Sequence, residues 1–203
     1  MASNVATGAY GVWYWNATLT NAQKLAVRTG KIPPTTGASW VRLYTAMTDG
    51  ASIDREGATL DVGTQEEGVK STYISDVDKW TMTIPIADIS VTNAKKFMML
   101  NPAYASSSGT GVRIDGSYVG TDLMDYGYLM VIANKAYAGS SVNVPPLTDP
   151  NAFVFANGVN NSRSASIAYD PAAQQMYNVT LGFSAVTSSS GTSCFGYHGT
   201  LST

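Results

Sequence analysis

Period-two alternation between turn signals restricts this chain more than any other feature. In KWTMTIPI, residues 79–86, Trp80, Met82, Ile84 and Ile86 occupy every second position. An extended strand puts all four on one face, whereas a helix would scatter them around its surface. Pro85 cannot donate to a ladder and favours an edge position for this strand. The same pattern recurs along the chain. GAYGVWYW at 8–15 is aromatic and β-prone, SWVRLYTAM at 39–47 sets Trp40, Arg42 and Tyr44 against Val41, Leu43 and Thr45, and ATLDVGT at 58–64 and GVKSTYIS at 68–75 are two more short strands. DYGYLMVIANKAY at 125–137 carries an apolar run from Leu129 to Ala133, as expected of a central strand buried on both faces.

The later half continues in short strands: Ala152–Ala156, two around a turn at Asp170 and Pro171, and a last one in TSCFGYHGTL at 192–201. Gly, Pro and Ser separate them, and SSSGTG at 106–111 is expected to be a flexible loop. Two helical segments are expected. A short turn falls near Ala22–Val27, and a longer helix is capped by Ser90 or Thr92 and runs to Leu100, with Val91, Ala94, Phe97 and Met98 on its apolar side. The expected fold is therefore mainly β: one domain over 1–203, a sandwich or barrel of two sheets with one flanking α-helix. Residues 1–38 form an N-terminal strand and linker or arm, TDGASIDREG at 48–57 an extended polar loop, and 184–203 a C-terminal arm or edge strand.

With 203 residues the chain can bury about 70% of its unfolded surface and needs no staple. Its one cysteine, Cys194, excludes an internal disulfide. The N-terminus has neither a basic start nor a sustained apolar run, and no segment reaches the roughly 18 apolar residues of a membrane span, so a cytoplasmic origin and no membrane partner are expected. Twelve basic against 14 acidic residues give a net charge of −2 and no basic patch for phosphate. The acids are clustered. Nine of the 14 lie between Asp49 and Asp88 with only three bases, whereas the last 40 residues carry Asp170 alone.

Catalytic vocabulary is scarce. A Ser-His-Asp triad would have to use His198, the single histidine, and no Gly-x-Ser-x-Gly elbow exists. One Cys and one His cannot supply a zinc site, DGASIDREGATLD lacks calcium-loop spacing, and Ile114 stands where GTGVRIDG would need a third dinucleotide-binding glycine. The pairs Asp76/Asp78 and Glu66/Glu67 suit solvated turns better than glycosidase chemistry. Trp13, Trp15, Trp40 and Trp80 could build a sugar-stacking platform, but large aromatics in a β-rich chain more often pack in a core or interface. No enzyme activity, cofactor or metal site is expected.

Residues 8–100 resemble the major tail (tail tube) proteins of long-tailed bacteriophages. The resemblance rests on the strand SWVRLY with Trp near its start, the polar excursion after it, a G-x-x-x-x-G-V stretch at Gly63–Val69, the acidic TYISDVDKW, and then an alternating strand and a helix. It implies a virion protein made in the host cytoplasm. Six copies would close a ring, rings would stack into a tube with other tail proteins, and DNA would pass through the lumen without specific binding. Glu66, Glu67, Asp76 and Asp78 would face that lumen, where like charge repels phosphate. Asp49, Asp54, Arg55 and Glu56 would lie in a loop reaching the next ring. The alternative is a β-sandwich adhesin or capsid decoration module that binds carbohydrate.

Overall fold

A computed structural model describes residues 10–36, 39–43, 51–57, 59–64, 68–74, 79–87, 107–108, 111–112, 128–137, 143–159, 166–168, 176–191 and 193–203. Strand β1 (Tyr10–Trp15) leads through helix α1 (Asn21–Ala26) and a 3-10 turn, Val27–Thr29, to β2 (Trp40–Leu43). Then come β3 (Ser52–Glu56), β4 (Thr59–Thr64), β5 (Gly68–Ile74), β6 (Lys79–Ile86) and the two-residue strands β7 (Ser107–Ser108) and β8 (Gly111–Val112). The second half supplies β9 (Tyr128–Asn134), β10 (Phe153–Val159), β11 (Ser166–Ala168) and β12 (Met176–Phe183). Three short strands follow: β13 (Val186–Thr187), β14 (Ser193–Cys194) and β15 (Gly196–His198).

Nine strands join in one sheet in the order β2-β1-β9-β10-β12-β6-β3, with β11 also on β12 and β15 also on β10. The hinge of this arrangement is β10. Its first half, Phe153–Phe155, pairs with β15 on one side and β9 on the other, while Gly158 and Val159 pair with β12 after a register shift between Phe155 and Gly158. An irregularity of this kind bends a strand and sharpens its twist. Consequently one strand can serve two halves of a sheet that fold over each other.

Alternation decides what lies between those halves. Val12 and Tyr14 of β1, Met130 and Ile132 of β9 and Phe155 of β10 meet Met82, Ile84 and Ile86 of β6 and Val179, Leu181 and Phe183 of β12 in one buried cluster. The intervening residues Trp13, Leu129, Val131, Ala133, Val154 and Ala156 form a second cluster on the opposite face, with Val27, Ile32, Trp40 and Leu201. Strands β1, β9 and β10 are thus apolar on both faces, as the run Leu129–Ala133 required. The protein is mainly β, with its sheet closed over a core in the manner of a sandwich and α1 on the flank.

Helix α1 begins at Thr20, whose Oγ1 accepts from the Gln23 amide while Gln23 Oε1 accepts from the Thr20 amide. This reciprocal pair satisfies two first-turn donors. Leu25 and Val27 join the second cluster, and Lys24 Nζ donates to Asn157 Oδ1 of β10 at 3.2 Å. The helix reading ends at Gly30, in the left-handed region at φ 74°, where a Cβ would also come within 2.7 Å of the Tyr197 ring. The longer helix expected over 90–100 lies outside the described residues.

Three expectations require correction. Residues 52–56, expected in a polar loop, form β3, which pairs antiparallel with β6 from Ser52↔Thr83 to Glu56↔Lys79. Only Ile53 reaches the core cluster, so a strand with one inward apolar residue looked like a loop. Strand β6 is flanked by β12 and β3 instead of lying at an edge. Pro85 is tolerated because it sits two residues beyond Thr83, the last β6 residue paired with β3. Third, Ser107, Ser108 and Gly111 of the expected flexible loop belong to β7 and β8, which pair antiparallel as Ser107↔Val112 and Ser108↔Gly111.

The C-terminal segment resolves into strand and anchor. Beyond β15, Ile32 donates its amide to the Ser202 carbonyl at 2.8 Å, Ser202 donates to Gly30 at 2.9 Å, and Leu201 is buried. Nearby, Asp149 is 1% exposed and its carboxylate accepts from the backbone amides of Asn134 at 2.6 Å and Asn151 at 2.9 Å. A buried carboxylate needs such donors, and here they tie the Pro-rich connection to the end of β9.

Tyr128, at the start of β9, packs edge-on against Tyr14 with ring centroids 5.5 Å apart. Burial pushes its phenol from the ordinary 10.0 up to about 12. Because the folded state holds the proton more tightly, this contribution to stability is intact below pH 10 and is lost as pH rises towards about 12. Urea midpoints measured across that window are expected to fall, and to fall less steeply in Tyr128→Phe.

Candidate functional site

The two described edges of the large sheet differ in character. At one end β2 pairs with β1 only, and at the other β3 pairs with β6 only, among the described strands. Strand β3 is charged and exposed along Ser52, Asp54, Arg55 and Glu56. Its inward-facing position is Ile53, opposite Met82, while the exposed Arg55 lays its guanidinium 6.0 Å over the Trp80 ring. Ser52 Oγ donates to Asp54 Oδ2 at 3.3 Å. Three of the four residues expected in an inter-ring loop, Asp54, Arg55 and Glu56, therefore stand on an edge strand, and Asp49 lies outside the described residues. Charge on an edge discourages indiscriminate pairing while leaving the ladder available to a matched partner.

The β4–β5 hairpin is a separate unit. Its strands pair from Thr59↔Ile74 to Thr64↔Gly68 with a shift after Val62, and among the described residues they pair with no other strand. Glu66 and Glu67 fall in the three residues joining β4 to β5, and Asp76 and Asp78 in the four joining β5 to β6. All four acids lie outside the described residues, so the sequence positions bracket the hairpin without placing the carboxylates.

A third feature was not anticipated from the sequence. Over the first half of β10, the segment carrying β14 and β15 and Trp80 of β6 border an aromatic groove of about 360 Å³. Phe155 is its buried floor, stacked on Phe183 at 4.0 Å. Phe153 lies nearly parallel to Phe155, with 8° between their planes, and His198 stacks on Phe153 at 4.1 Å. Cys194 lines one side and donates its thiol proton to the Gly196 carbonyl at 3.3 Å. Burial pushes that thiol up, so little thiolate exists at neutral pH. The available signal was the period-two aromatic spacing in FVF, which strand geometry turns into parallel rings.

Gly196 keeps this groove together. A Cβ there would strike the Val154 carbonyl oxygen and approach Phe155 Cδ1 to 3.1 Å, because β15 runs close against β10 with Gly196 opposite Phe155. Gly196→Ala is expected to cost about 1–3 kcal/mol by overpacking. It should also speed hydrogen exchange at the Ala156 amide, which donates to the Phe195 carbonyl at 3.0 Å. Unchanged exchange would mean that the strands separate without strain.

Of the four tryptophans, Trp13 and Trp40 are buried in the second cluster and Trp15 packs edge-on against Trp40 with centroids 5.2 Å apart. All four pack against a core cluster, and of them Trp80 alone borders the groove. Among the described residues no helix is long and apolar enough to cross a membrane. No protein-family model matches the chain, and no curated protein matches it in sequence.

Proposed function

We propose that this chain is a structural subunit that assembles into hexameric rings, stacked as the tail tube of a long-tailed phage and serving as a conduit for DNA. The observation that carries the reading is the β4–β5 hairpin, which pairs only with itself among the described strands. A lone two-stranded hairpin is marginal in water and gains stability when further strands join it. Copies arranged around a ring supply those strands, and a head-to-tail contact repeated at a fixed rotation closes on itself. The described edges β2 and β3, at opposite ends of the sheet, suit such a contact. Low charge density, 13% of residues, lowers the desolvation cost of burying these surfaces. The acid-rich span 49–88 brackets the hairpin and would give a lumen that repels phosphate. In this reading the protein has no catalytic role.

The deciding experiment is sedimentation combined with negative-stain microscopy of the purified protein over a concentration series. Rings or tubes are expected. A species of 21.4 kDa at every concentration, with no rings in micrographs, would overturn the proposal.

A further inference from the structure

We draw no further inference here: the strongest candidate, the aromatic groove over the first half of β10, has its ring faces already covered, Phe153 by His198, Phe155 by Phe183 and Trp80 by the Arg55 guanidinium, and nothing in the structure shows what would occupy the space beside them.

Discussion

Trp13→Ala is expected to lower the unfolding free energy by about 3–5 kcal/mol, the range for removing a large aromatic from a packed interior. Trp13 has no exposed surface and stands on the side of β1 opposite Val12 and Tyr14, where it meets Leu129, Val131 and Val27 in the second cluster. The Arg42 guanidinium lies 6.0 Å over its ring. A Cβ on Gly11 would come within 2.5 Å of the same ring, so the backbone beside it is already shaped around the indole. Collapse into the vacated space is restricted because β1 is held on both sides, by β2 from Val12↔Leu43 to Trp15↔Trp40 and by β9 from Tyr10↔Asn134 to Tyr14↔Met130. For a domain whose net stability is about 5–15 kcal/mol, this loss removes a large fraction. Urea denaturation should show a lower midpoint at an unchanged slope. The half-buried Trp15, truncated likewise, should cost clearly less. A loss under about 1 kcal/mol for Trp13→Ala, the size of an ordinary surface change, would contradict its place in the core.

Exchanging Glu66 and Glu67 for lysine has the largest expected effect on function under the tail-tube proposal. Each subunit changes by about four charge units, and the change repeats around a ring, so a lumen that repelled phosphate would attract it. At physiological salt the Debye length is about 8 Å, short enough that only residues close to the DNA path contribute. Assembled wild-type protein is expected to ignore DNA. The lysine variant should bind it and release it as salt rises, with affinity falling by about 10³-fold or more between roughly 50 and 200 mM if six or more phosphates are contacted. Because the two positions join β4 to β5, they lie outside both strand cores, and the fold and ring should persist in the variant. Equal and negligible DNA binding by both proteins would place these acids away from the conduit.

Much of the strand inventory was legible because alternation reports burial directly. Trp80, Met82, Ile84 and Ile86 were expected on one face, and the last three are fully buried with Trp80 packed against them. The continuous run Leu129–Ala133 marked β9 as central, and it lies between β1 and β10. Strand β3 was missed because a solvent-facing edge strand needs only one apolar anchor, Ile53, and its charges imitate a loop. The pairs β7–β8 and β13–β14 were missed or blurred because two residues are too few to display a period. The aromatic groove was invisible for a different reason: its walls come from residues 80, 153–155 and 193–198.

The sequence by itself determined the strands that carry a clear alternation or an apolar run, such as β1, β6 and β9, which of their positions are apolar, and that acids concentrate between Asp49 and Asp88. These are local properties, set by the two-residue repeat of an extended backbone. Only the tertiary structure decided that β1 lies between β2 and β9, that β10 divides its free edge between β15 and β12, and that Gly196 is pressed against Val154. A side chain's alternation specifies the face it occupies but not the neighbour across the ladder, because hydrogen bonds between strands are made by backbone groups that every residue shares.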